Sequence, residues 1–194
     1  MNCAMISYRI PDFLVARLRA LATDQNGVSA VEFAMLLPLM LTLYFGGVEI
    51  SQAVGADRKV TLVARTTADL VAQAASLSVS DMTNVMNAGK AVVVPFDTSK
   101  LWITLTNVTI DSTGKATVCW SQTLNGTAKA NNDDVSSKIP TSLKVASTTL
   151  IWAEVGYGYK PTIGYVVTGT LNLTDQIFMR PRLTTSVSYN GSTC

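Results

Sequence analysis

From Val28 to Val48 the chain runs for 21 residues with a single charge, Glu32, near the N-terminal end. A helix of about 20 apolar residues crosses the roughly 30 Å of hydrocarbon in a bilayer. The run is therefore long enough for a single-span anchor, and everything else in the chain must be arranged around it. A carboxylate inside such a segment costs about 2.5–3.5 kcal/mol at the helix centre and less towards an end. Glu32 either sits in the headgroup layer beside an ordinary anchor or has a further role. Gly27 stands five positions before Glu32 and six before Phe33.

A cleaved secretory signal is the competing reading. Such signals have 15–30 residues around an apolar core of 7–15. Ala53-Val54-Gly55-Ala56 imitates a cleavage site, but the region before the apolar run holds 27 residues and the run itself 21. Basic residues do not fix the orientation. Arg9, Arg17 and Arg19 precede the run, and Arg58, Lys59 and Arg65 follow it at comparable distances, so the positive-inside comparison is close to a tie.

Gly27, four intervening residues, then Glu32-Phe33 at the head of an apolar helix resembles the site cut by prepilin peptidases. A wider set of segments resembles TadE-like proteins of the tight-adherence (Flp) pilus machinery. These are Gln25-Asn26-Gly27-Val28-Ser29-Ala30-Val31-Glu32-Phe33-Ala34 with Leu36-Leu37-Pro38-Leu39, then Ala153-Glu154-Val155 with Tyr157-Gly158-Tyr159-Lys160-Pro161, and finally Phe178-Met179-Arg180-Pro181-Arg182. The resemblance implies a minor pilin (pseudopilin) of a type IVc pilus, cut between Gly27 and Val28, with Glu32 and Phe33 serving assembly and axial register. It implies a bacterial inner-membrane protein, N-terminus cytoplasmic and C-terminal domain periplasmic, that can enter a surface pilus. Its partners would be the peptidase, other pilins or pseudopilins, and the inner-membrane assembly platform.

The expected organisation is a leader over 1–27, a transmembrane helix over 28–48, an outer amphipathic helix over 49–79 and an α+β domain over 80–194. Val60, Val63, Thr67, Leu70, Ala74 and Leu77 recur at three- and four-residue spacing and mark one apolar stripe. Ile10-Pro11-Asp12 and the apolar positions after it read either as a short amphipathic helix or as a loose tail. Ser80 to Gly89 has a cap-like start and a glycine stop, predicting a short second helix. Strands are expected over 91–96, 101–110, 116–122 and 145–159, with one or two more over 170–179 and 183–189. The polar stretch from Leu124 to Pro140 reads as an exposed loop. The fold class is thus α+β, a long N-terminal helix on a small antiparallel sheet, as in pilins.

Little supports catalysis. The chain has no histidine, which removes the usual base of a nucleophilic triad and the commonest acid–base group. No phosphate-binding loop or dinucleotide fingerprint occurs. No metal, cofactor or small-molecule substrate is called for, and a net charge of +2 without a basic stripe gives nucleic acid no footing. Cys119 and Cys194 either form a disulfide in an exported domain, worth about 2–4 kcal/mol, or are two separate thiols; spacing does not decide. Glu154 among apolar residues and Arg180 and Arg182 around Pro181 form either an internal carboxylate–arginine pair or a contact to another subunit. The alternative function is an unprocessed single-span protein whose exported domain binds a surface ligand or a secretion component.

Overall fold

A computed structural model describes residues 16–17, 20, 26–161, 164 and 168–193. Most of the expected leader therefore lies outside the described residues. The chain divides into two compact units between Gly46 and Gly47.

The first unit is dominated by the start of helix α1 (Asn26–Ala72), a helix that continues into the second unit. Pro38 lies inside it without ending it. Proline lacks the N–H that would reach back to the Ala34 carbonyl; one turn further on, Thr42 Oγ1 donates to the Pro38 carbonyl at 2.8 Å. Val28, Val31, Phe33, Met35, Leu39 and Leu43 are all exposed. Among the described residues nothing covers these side chains, an arrangement that suits apolar surroundings. It is long and apolar enough to cross a membrane, and none of its apolar window is buried.

In the second unit α1 buries Ala56, Val60, Val63, Ala64, Thr67, Ala68 and Val71. Val60, Val63 and Thr67 lie on the expected stripe, but Leu70 is 39% exposed and Val71 takes its place. The buried side is made of small residues that let the helix lie close to the sheet. The helix ends at Ala72, short of the expected Leu77, which instead belongs to strand β1 (Ser76–Leu77). The Ala72 carbonyl, one of the groups a helix end leaves unpaired, accepts the Arg182 N–H at 2.8 Å.

Helix α2 (Val79–Val93) starts close to the expected Ser80 and runs through Gly89. Ser78 and Asp81 form a capping box: the Asp81 N–H donates to Ser78 Oγ at 3.2 Å, and the Ser78 N–H to Asp81 Oδ2 at 2.9 Å. The Ser78 hydroxyl, donating to Asp81 Oδ2 at 2.6 Å, and then the Ser78 N–H hold the Asp81 carboxyl below the ordinary carboxylate range. Gly89 is a packing position. A Cβ there would lie 2.6 Å from Ile103 Cδ1 and 3.0 Å from Thr67 Cγ2. The strand expected over 91–96 is thus corrected to the last turn of α2 and its exit. The far end is capped by Lys59, whose ammonium donates to the Val92 and Val94 carbonyls at 2.8 and 2.7 Å.

The main sheet has the order β3-β2-β4-β5, all antiparallel: β2 (Leu101–Ile110), β3 (Ala116–Leu124), β4 (Thr148–Tyr159) and β5 (Leu171–Met179). Leu101, Ile103 and Leu105 on β2, with Ile151, Ala153, Val155 and Tyr157 on β4, form one face and join the helices in the main core. Fully burying side chains of this size contributes about 1.5–3 kcal/mol each. Val108, Ile110, Ala116, Val118, Leu150 and Trp152 form a second core with Val135 and Ile139. The expected exposed loop over 124–140 is thus corrected in part: its apolar residues close this second core. Its backbone also lines the β3 edge, with the Asn132 N–H donating to the Val118 carbonyl at 2.8 Å.

Beyond β5, among the described residues, only β6 (Ser188–Tyr189) is a strand, and it pairs in parallel with β1, not with the main sheet. The expected strand over 183–189 shrinks to these two residues.

Candidate functional site

Gly27, Val28, Glu32 and Phe33 all sit on the first turns of α1, and all are exposed. Val28 and Glu32 are four residues apart, so they share a helix face with about 6 Å of axial rise between them. Among the described residues, nothing lies within 4 Å of a Cβ built on Gly27. The first turn carries no acidic residue to stabilise it. Among the described residues, the Gly27–Val28 bond thus lies exposed on the first turn of α1.

The distal candidates fall elsewhere. Glu154 is directly opposite Gln176 on β5, and its ion pair is with Lys129, whose ammonium also stands 4.1 Å above the Trp152 ring. Arg182 pairs with Asp69 of α1. The carboxylate–arginine pairing expected between Glu154 and Arg180 or Arg182 is replaced by these two bridges. Register supplies the reason. Met179, the last residue of β5, faces Ile151, so Arg180 lies about 13 Å along the strand from the Glu154 row. Arg180 itself is exposed.

Cys119 is disulfide-bonded. It is the extra residue of a β-bulge, because Asn107 faces Trp120 while Val108 faces Val118. The bulge turns Trp120 into the main core and leaves Val118 in the second one. Cys3 and Cys194 both lie outside the described residues, but Ser192 and Thr193 border a depression of about 350 Å³ together with Cys119.

Glu49 was not singled out by sequence, yet it is 2% exposed. Its signal was present: Glu49, Ala53, Ala56 and Val60 follow the core-facing spacing of α1. Burial, and then the Glu49 charge, push the Tyr159 hydroxyl above its ordinary pKa. Tyr159 reaches Gln52 Oε1 at 3.5 Å.

Among the described residues, one long helix with an unburied apolar window fits a membrane anchor, and the α+β fold combines that helix with a small antiparallel sheet. Residues 27–69 match the family model described as TadE-like protein, bearing out the resemblance over that segment. The matched range, 43 of 194 residues, lies entirely within α1. The distal segments around Glu154 and Arg180 lie outside the matched range. No curated protein and no solved structure matches the chain.

Proposed function

We propose that this protein is a minor pilin (pseudopilin) of a tight-adherence (Flp, type IVc) pilus, cut by a prepilin peptidase between Gly27 and Val28. The match of residues 27–69 to TadE-like proteins carries the reading. The peptidase would unwind the first turn of α1, where a glycine and the lack of an acidic residue make opening cheap. Cleavage would leave an ammonium at Val28. In an assembly, Glu32 of one subunit would meet the Val28 ammonium of its neighbour. Buried charge pairs are better attested as register devices than as sources of net stability, and that is the role assigned to Glu32, with Phe33 packing beside it.

In this reading the N-terminus is cytoplasmic, the domain after Gly47 is periplasmic, and the chain has a structural rather than enzymatic part in starting or building the pilus. The partners are the peptidase, other pilins or pseudopilins, and the inner-membrane assembly platform. The leader would carry Cys3 away, leaving Cys194 as the partner for Cys119.

Co-expression with a prepilin peptidase tests the reading. Loss of residues 1–27 removes about 3 kDa of a 20.7 kDa chain, with a new terminus at Val28, and Gly27→Leu abolishes the change. An unshortened chain under these conditions favours the unprocessed single-span binding module instead.

A further inference from the structure

We propose that the outer face of the main sheet around Trp102 binds a neutral oligosaccharide. Trp102 stands directly opposite Gly156 across the β2–β4 ladder. A Cβ at residue 156 would fall 2.3–2.5 Å from three indole atoms, Cε2, Nε1 and Cζ2. The half-buried indole therefore occupies the space that a Cβ at residue 156 would need. Glycine is what permits this seat.

Trp102 and Glu154 together separate two depressions. One, of about 380 Å³, is walled by Thr174, Asp175 and Gln176 of β5. The other, of about 330 Å³, is walled by Thr104, Asn125 and Thr127. Two amides among these are already oriented. Gln176 Oε1 accepts from the Trp152 indole N–H at 3.2 Å, which leaves its NH2 to donate. The Asn125 NH2 donates to the Leu101 carbonyl at 2.9 Å, which leaves its oxygen to accept.

A seated indole flanked by hydroxyls and oriented amides matches a pyranose, whose C–H face stacks on an aromatic ring while its hydroxyls bond at the rim. A depression on each side of the ring gives room for a sugar unit beyond the stacked one. A cationic peptide fits less well. The Glu154 carboxylate already holds the Lys129 ammonium, which would repel a second cation. A purely apolar partner would bury these polar groups without hydrogen bonds, at a cost.

The experiment titrates the full chain, in a zwitterionic detergent without a sugar headgroup, with the neutral trisaccharides of glucose, mannose, galactose and N-acetylglucosamine. Tryptophan fluorescence and the indole N–H resonances report binding. At least one trisaccharide saturates below about 10 mM, Trp102→Ala weakens it about tenfold, and Trp102→Phe keeps most of the affinity. Gln176→Ala and Thr174→Val, both at exposed positions, each weaken it severalfold and decide the question should Trp102→Ala fail to fold. Absence of saturation across the set, binding indifferent to these variants, or salt-sensitive binding of tri-lysine and tri-arginine peptides alone overturns the proposal. The readout is independent of leader cleavage.

Discussion

Asn107 and Trp120, facing each other across the β2–β3 ladder, both donate to one acceptor, the Val187 carbonyl. The Asn107 amide reaches it at 2.9 Å and the Trp120 indole at 2.8 Å. Asn107 also donates to Ser186 Oγ at 3.0 Å, and the Thr149 hydroxyl to the Thr185 carbonyl. Val187 is fully buried. The segment after β5 is thus held from the strands beneath it, with almost no regular structure of its own. Asn107→Ala leaves a buried carbonyl with one donor fewer and should destabilise the protein by about 1–3 kcal/mol. Chemical denaturation measures this, and proteolysis of the variant should begin within residues 183–193.

Gly89 gives a packing prediction. Ala there would put a methyl 2.6 Å from the tip of buried Ile103, although helix propensity would favour Ala by about 1 kcal/mol. The two effects oppose each other. Gly89→Val adds bulk that α2 cannot accommodate and should cost about 1–3 kcal/mol, seen as a lowered thermal midpoint.

Lys59 links α1 to the exit of α2. Replacing its ammonium by the apolar end of Met removes both hydrogen bonds to the Val92 and Val94 carbonyls. Lys59→Met should destabilise by about 1 kcal/mol. Hydrogen exchange at the last turn of α2 should rise before that of β2.

Acid should weaken the domain at its turns. Hydrogen bonds from Thr113 foremost, and from the Lys115 backbone, hold the Asp111 carboxyl below its ordinary pKa. A folded-state pKa below the unfolded one gives stability that is present above the unfolded value, about 4, and lost as pH falls through the folded one. Asp81, Asp97 and Asp134 are lowered in the same direction. Denaturation midpoints should therefore drop progressively below about pH 4, and Asp111→Asn should flatten part of that drop.

For the head of α1, Glu32→Ala should leave cleavage after Gly27 largely intact while reducing assembled pili at least several-fold. Cleavage is followed by mass and assembly by counting filaments. Normal piliation would contradict the register role.

The sheet was legible where a strand carries its own pattern. Leu101–Ile110 alternates, is rich in β-branched residues and ends at an Asp-Ser-Thr-Gly turn, and it is β2 to the residue. Residues 91–96 misled because a short apolar run has the same composition in a buried strand and in the last turn of a buried helix. Gly89 read as a stop because glycine often ends helices, whereas here it lies inside α2 where Ile103 and Thr67 approach closely. At the head of α1, local spacing names Gly27, Val28, Glu32 and Phe33, and the structure places all four on the first turns of one helix. The partners of Glu154 and Arg182 were not, since Lys129 and Asp69 are 25 and 113 residues away and only the fold brings them near.

The parallel contact of β6 with β1 has a consequence for timing. Residues 76–77 emerge early in synthesis and wait for residues 188–189, and the foot of α1 waits for Arg182. Until that late stretch arrives, the core lacks Val187 and the helix end lacks its backbone donor. The domain's fold is therefore completed by some of its last-made residues, so a chain interrupted before Arg182 would lack both closures.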